Sequence, residues 1–425
     1  SIEASSADEL SDLTVKAVYN DGTTNEKKVS WNTDNVDWDI KGTYQITGEV
    51  LQTTYAFPQM SARPDPQIVN YNGMYYFIST DESGQGRIYI RKASTLKEMS
   101  SAKETLLLDG TSYPDLFTAC LWAPELHEID GNLYMFFAGS KSNWAGVQSH
   151  VMKLKDGGDP TNPSDWETPI RVMKKDGSYL YDADTQGITL DMTYFEHNEV
   201  SYVIWAQRQR IKDGASCDTG SWLYIASIDT DTWKLTSDPV FLSKPDYGWD
   251  NNSTFVDEGP YVIKQDDRIL MTFSGAGVNC TYVVGMMSVD ANADLLVSDN
   301  WHKMNYPILT SRSVDGEYGP GHNSYVVDED GNFMNIYHAK PGTNGTRSAG
   351  FRRVQFDADG DPRLDMTAKL DLNPKFKTVT TNVVVSSSKS ESDILSELLD
   401  SISIPDADHI TGNITLPDSI VRGTH

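Results

Sequence analysis

Hydrophobic and polar positions alternate along most of the chain in short bursts. MYYFIST (74–80), LYMFFAG (133–139), SYVIWAQ (201–207) and RILMTFSG (268–275) are aromatic and β-branched, with turn residues on either side. Runs of this kind predict strands. Helical periodicity is confined to one clear stretch, SDILSELLDSI at 392–402. The strands also recur. With Asp65, Ala123, Asp191, Gly259 and Asn323 as a common zero, the frames read DPQIVNYNGMYY, APELHEIDGNLY, DMTYFEHNEVSY, GPYVIKQDDRIL and NSYVVDEDGNFM. Eight residues on stand Gly73, Gly131, Glu199, Asp267 and Gly331; eleven on stand Tyr76, Tyr134, Tyr202, Leu270 and Met334. The spacings are 58, 68, 68 and 64 residues. Each frame predicts a strand, a tight turn and a second strand. Five at such a period predict radial repetition, an all-β, five-bladed β-propeller over residues 56–375.

The flanks follow other patterns. Residues 1–55 hold alternating strands separated by DG and KG turns, which predicts a small β-sandwich whose first strand is not recognisable. Residues 376–425 begin as a Ser-, Thr- and Val-rich linker with room for a last strand (FKTVTTNVVVSSSKSESDI). They continue as ILSELLDSISIPDADHITGNITLPDSIVRG, the expected start of a further module cut off at His425. With these ends the chain is expected to be a monomeric piece of a larger multidomain surface protein.

Composition narrows the partners. Against a prior of roughly 150 residues per domain, 425 residues suggest about three domains. The 61 Asp and Glu outnumber 35 Lys and Arg, a net charge of −26 that disfavours nucleic acid and anionic lipid. No apolar run is long enough to span a bilayer, and no basic segment followed by an apolar one opens the chain at Ser1. Cys120, Cys217 and Cys280 lie too far apart for a disulfide scaffold or a Cys-rich zinc module.

Inner strands of a propeller start at the mouth of its channel, so polar residues at blade starts converge although they are distant in sequence. The acids there are Asp65, Asp191 and Glu258. The second blade offers Ala123 with Glu125 two residues on, and the fifth offers His322, one before its zero like Glu258. Any single acid among 61 could be a turn cap; three in matched register are a stronger signal. Three carboxylates and a histidine around one funnel suit inverting glycoside hydrolysis. One carboxylate activates water, a protonated one serves the leaving oxygen, and a third raises the donor's pKa. Trp122, Trp144, Trp205 and Trp222 are candidates for stacking on sugar or for packing between blades, with packing favoured for Trp205. Arg63 suits a sugar hydroxyl or a structural ion pair equally. DEDGN (328–332) and DADGD (357–361) fail as calcium loops and read as turns. No phosphate-binding or serine-hydrolase motif is present, and Cys120 reads as a small buried hydrophobe.

ARPDPQIVNYNGMYYF, LWAPELHEIDGNLYMFFAG, ITLDMTYFEHNEVSYVIWAQ, DEGPYVIKQDDRILMTFSG and YGPGHNSYVVDEDGNFMNIYHA together resemble glycoside hydrolase family 43, in particular its α-L-arabinofuranosidase branch, from about Tyr55 to Met366. The pattern YNDGT…VSW…GTYQITG in residues 1–55 resembles a bacterial Ig-like domain, as does the C-terminal stretch. The resemblance implies a secreted or cell-surface bacterial hydrolase of hemicellulose: an inverting, exo-acting α-L-arabinofuranosidase. Its substrate would be the terminal arabinofuranosyl residues of a plant polysaccharide or arabino-oligosaccharide. It also implies that Asp65 is the general base, Glu258 the general acid and Asp191 the pKa modulator. His322 becomes a channel residue that holds water or a calcium or sodium ion, with no cofactor required. Relatives end the fifth blade in R-H-x-R-x-Q; here GFRRVQ keeps Arg353 and Gln355 only, leaving the substrate contacts there open. Glu199 replaces a turn glycine and is expected to change that turn. β-Xylosidase, endo-arabinanase and exo-galactanase activities, or a glycan-binding propeller without catalysis, are the alternatives.

Overall fold

The computed structural model describes residues 1–84, 86–181, 187–210, 218–386, 391–403, 407–409 and 411–413. The chain divides into two compact units, Ser1–Thr53 with Ala368–His425, and Thr54–Thr367. Strands dominate both. The longest helix among the described residues is Glu391–Asp400, inside the expected amphipathic stretch.

In the first unit five strands lie on one hydrogen-bonded path: Ile2–Glu3, Thr378–Val385, Gly42–Val50, Thr24–Asn32 and Thr14–Val18. Thr24–Asn32 serves two neighbours, pairing through Thr24–Lys28 with one and through Val29–Asn32 with the other. The segment expected to be linker therefore contains a full strand, antiparallel to Gly42–Val50 and parallel to Ile2–Glu3. Its composition is linker-like, but TVTTNVVV alternates. Val383 and Val385 are buried against Ala4, Leu10, Val36 and Ile46, and this burial holds the strand in the sheet. A buried ion pair, Lys27 Nζ to Asp371 Oδ2 at 2.9 Å, ties the approach to that strand to the same sheet. Much of the supposed further module (404–406, 410 and 414–425) lies outside the described residues, as does Cys217.

Ahead of a two-stranded ladder of Gln355–Phe356 with Pro362–Arg363, the second unit holds five larger antiparallel sheets in chain order. Their first strands are Gln67–Tyr71, Ala119–Ile129, Ile188–His197, Asp257–Lys264 and Tyr318–Val327. Each first strand packs on the next, and Tyr318–Val327 packs on Gln67–Tyr71. Five apolar clusters lie mainly between neighbouring sheets. One, containing Ile68, Phe77, Val326 and Ile336, joins the fifth sheet to the first. Trp205 is fully buried in the cluster between the second and third sheets, as the packing alternative required. Ahead of the first sheet, Met60 bridges to Ala349 on the last strand of the fifth.

The first two strands of sheets one to three are joined by two-residue turns, Asn72-Gly73, Asp130-Gly131 and Asn198-Glu199, all six residues in the left-handed region. Glu199, at φ 62°, keeps the turn that a glycine would have made, contrary to expectation. DEDGN forms the corresponding turn of the fifth sheet, closed by Asp328 N–H to Asn332 O at 2.9 Å. DADGD is a turn closed by Asp357 N–H to Asp361 O at 3.0 Å.

Candidate active site

A left-handed residue stands at the matching position of each first strand, or just before it: Asp65 (φ 52°), Ala123 (45°), Asp191 (54°), Gly259 (56°) and His322 (51°); Cys120 (55°) and Gly319 (58°) are left-handed as well, three residues earlier in the second and fifth sheets. In sheets two to five the strand ladder shifts register at the matching residue, the mark of a β-bulge. A bulge bends the strand and re-aims its side chains. The equivalent of Asp65 in the fifth sheet is therefore His322 and not Asn323. The frame slipped because its turn, DEDGN, is longer than the two-residue turns of the first three sheets. His322 accordingly matches Asp65 and Asp191, while Glu258, Leu190 and Trp122 stand one residue earlier.

The bulges bring these positions to one cavity of about 360 Å³, lined by Asp65, Glu82, Trp122, Leu190, Asp191, Glu258, Val278, His322 and Arg347. The backbone N–H of the left-handed residue is held by the preceding sheet in four cases. Ala123 N–H donates to Thr80 Oγ1 at 2.8 Å, His322 N–H to Ser274 Oγ at 2.7 Å, and Asp65 N–H to His338 Nδ1 at 3.1 Å. In the fourth case Gly259 N–H donates to Asp191 Oδ2 at 3.0 Å, so one candidate carboxylate is oriented by the strand that carries the other. Glycine gives room there, because a Cβ on Gly259 would sit 3.0 Å from His322 Nδ1 and the imidazole would have to yield. A Cβ on Gly321 would meet the Tyr282 ring at 2.4 Å, and the space it leaves lets Tyr282 O–H donate to Glu258 Oε1 at 2.8 Å.

Charge divides the cavity. Asp65 Oδ1 lies 3.1 Å from Arg347 Nη1 and 3.3 Å from His322 Nδ1. Burial alone would raise the Asp65 pKa, but these neighbours outweigh it and hold the carboxyl far below its ordinary range. Arg347 is itself anchored, its Nη2 2.6 Å from Glu82 Oε2. On the other side burial, helped by Glu258 and Asp65, pushes Asp191 up to about 7. Burial also raises Glu258, tempered by the Tyr282 hydrogen bond. For His322 burial opposes charge, yet Asp65, Asp191, Glu125 and Glu258 raise its pKa. Burial pushes His338 down to about 4, which keeps it neutral at the Asp65 N–H.

The remaining candidates scatter. Arg63 is turned away from the cavity, ion-paired to Glu104 and Asp81 with its guanidinium 4.7 Å from the Tyr89 ring centre. Glu125 is buried two residues past Ala123, 2.7 Å from His127 Nε2. Trp222 packs edge-on to Phe241 in the third sheet, and Arg353 ends the last strand of the fifth; neither lines the cavity. Trp144 lines a different, larger cavity. Cys120 is half-buried against apolar neighbours. Arg347 and Glu82 were missed because they lie in loops outside the repeat register. Among the described residues no group of three or more His, Cys, Asp or Glu has the geometry to hold a metal ion. Asp65, Asp191, Glu125 and Glu258 favour the protonated form of His322, which has no ring lone pair to offer one. The side chains do not fit the calcium or sodium ion expected there.

The model of "Glycosyl hydrolases family 43" matches residues 58–362, and that of "Bacterial Ig-like domain (group 4)" matches residues 13–53. Over 331 residues the chain is 30% identical to an extracellular exo-α-(1→5)-L-arabinofuranosidase of Streptomyces avermitilis, covering 76% of this chain and 65% of that protein. An enzyme of the same description from Streptomyces chartreusis is 33% identical over 295 residues, 67% of this chain and 82% of its own. Among solved structures, an α-L-arabinofuranosidase from Lactobacillus brevis superposes with a TM-score of 0.63 at 30% identity, covering 73% of this chain and 95% of that one.

Proposed function

Because the chain belongs to glycosyl hydrolases family 43, we propose that it is an inverting, exo-acting α-L-arabinofuranosidase that removes terminal arabinofuranosyl residues from plant polysaccharides outside the cell. Relatives at 30% and 33% identity carry that activity and the word extracellular in their descriptions. The observation that carries the chemistry is the divided cavity: one carboxyl held ionised, two held toward protonation, in a space of about 360 Å³ that suits a single terminal sugar. The five sheets are the blades of a five-bladed propeller, a reading supported by the cyclic order in which their first strands pack.

Asp65 is the general base. Ionised and steadied by Arg347 and His322, it takes a proton from water as that water attacks the anomeric carbon. Glu258 is the general acid and gives its proton to the departing glycosidic oxygen. Tyr282 donates to Oε1, so the transferable proton sits on Oε2. Asp191, fixed by the Gly259 N–H, is coupled to Glu258: like charge disfavours ionising both, which favours a protonated donor and then helps it recover its proton. Water between base and sugar requires carboxyls about 6.5–9.5 Å apart and inverts the anomeric centre.

The test is hydrolysis of p-nitrophenyl α-L-arabinofuranoside against the β-D-xyloside, with the first product followed by NMR. We expect the arabinoside to be preferred and β-arabinofuranose to appear first. Preference for the xyloside, or retention of configuration, would refute the assignment.

A further inference from the structure

A second cavity of about 1090 Å³ adjoins the second sheet. It is about three times the size of the carboxylate cavity and slightly exceeds the roughly 300–1,000 Å³ usual for ligand sites. Its position ties it to the chemistry. Ala138 pairs with Trp122 and Ser140 with Ala119. Trp122 lines the carboxylate cavity while Gly139 and Ser140 line the larger one, so both open at the same end of this sheet. Arg208 connects them more specifically. Its guanidinium carbon lies 5.8 Å from the Trp144 ring centre, and its charge acts on Glu258.

That places Trp144 on the proton donor's side. In glycoside hydrolysis the donor faces the leaving oxygen, so the departing part of the substrate must extend from Glu258 and not from Asp65. The small cavity accommodates the terminal sugar; whatever follows it in a chain needs another surface. The larger cavity has the composition such a chain requires. Trp144 and Tyr179 expose 39% and 50% of their surface, enough to present flat faces to sugar rings. Tyr179 is held by Arg171, whose guanidinium carbon is 3.6 Å from its ring centre. Asp115, Lys141 and Asn143 line the same space and supply hydroxyl partners of both hydrogen-bonding senses.

We infer that this cavity seats the departing portion of an arabino-oligosaccharide, with Trp144 as the stacking platform nearest the scissile bond and Tyr179 as the next one out. The enzyme then binds substrates of several sugars more productively than a single sugar on a small aglycone. The inference rests on the exo-hydrolysis proposed above and adds the direction in which the chain leaves.

The experiment compares kcat/KM on α-1,5-linked arabinopentaose with kcat/KM on p-nitrophenyl α-L-arabinofuranoside, in the wild type, Trp144→Ala, Trp144→Phe and Tyr179→Ala. The pentaose-to-aryl ratio should fall about tenfold in Trp144→Ala, the size of one good aromatic contact. It should recover most of that loss in Trp144→Phe, which keeps a face, and fall severalfold in Tyr179→Ala. A ratio unmoved by either alanine variant overturns the inference, as does an equal loss on both substrates. Those results leave the arabinofuranosidase assignment standing. A wild type that cleaves neither arabinoside would instead overturn the assignment and the inference with it.

Discussion

On the side of the first and fifth sheets, the Asp65 carboxylate has Arg347 at 3.1 Å and His322 at 3.3 Å. On the side of the third and fourth sheets, Asp191 and Glu258 meet a backbone N–H, a phenol O–H and each other's charge. Both sides use carboxyls set at or next to a left-handed residue where a first strand begins, and both are buried. Burial pushes every one of these carboxyls up; for Asp65 the neighbouring cations reverse that, while for the pair opposite nothing does. The repeat supplies positions, and loops outside it supply the asymmetry that, on the proposed mechanism, makes one acid the base and another the proton donor.

The largest effects should come from removing either partner. Asp65→Ala and Glu258→Ala should each lower kcat about 10³–10⁴-fold on natural arabinosides, with the circular dichroism spectrum unchanged. Only Glu258→Ala should regain much of its rate on aryl arabinofuranosides with good leaving groups. Recovery in Asp65→Ala instead would reverse the two roles.

Arg347→Gln attacks the asymmetry itself. On the proposed mechanism activity requires Asp65 ionised, and its lowered pKa should put the acid limb of kcat/KM below the ordinary carboxylate range. Without the guanidinium the Asp65 pKa rises and that limb should move to higher pH, with kcat/KM down about a hundredfold. An unmoved acid limb would show that Arg347 serves only the fold. Tyr282→Phe tests the other side. Losing a donor to the Glu258 carboxylate raises that pKa further, so the acid stays protonated longer. The basic limb should move upward while kcat falls about tenfold, since the anion left by proton transfer loses its hydrogen bond. A fall in thermal stability with an unshifted profile would reduce Tyr282 to packing.

How much of this was legible in sequence follows the same division. Asp65, Asp191 and Glu258 could be found because they recur with the first strands of the sheets, and Gly259 and Gly321 sit inside the quoted motifs. Arg347 and Glu82 could not: they stand in loops that obey no period, and the loop that supplies Arg347 is more than 280 positions from Asp65. Arg63 stands two residues from Asp65, yet Glu104 and Asp81 draw it away from the pocket. The one-residue slip at His322 came from anchoring the fifth frame on a turn glycine in a longer turn. The sequence left room for the strand Thr378–Val385 but not for its place in the N-terminal sheet, because its partners begin over 330 positions earlier.

The smallest expected effect separates backbone conformation that serves the site from conformation that does not. Glu199 is left-handed in a surface turn, as Asp65 and Asp191 are in the pocket. Glu199→Gly should raise stability by about 0.5–1 kcal/mol, the left-handed cost relieved less glycine's entropy. Activity should be unchanged. Destabilisation would mean that the Glu199 side chain holds the turn.

The split of protonation across the pocket is open to direct observation by neutron crystallography of the deuterated protein near neutral pH. We expect nuclear density for a deuteron on Glu258 Oε2, a deuterated Tyr282 hydroxyl directed at Oε1, and a bare Asp65 carboxylate between Arg347 and His322. A deuteron on Asp65 with a bare Glu258 would contradict the assignment of base and acid.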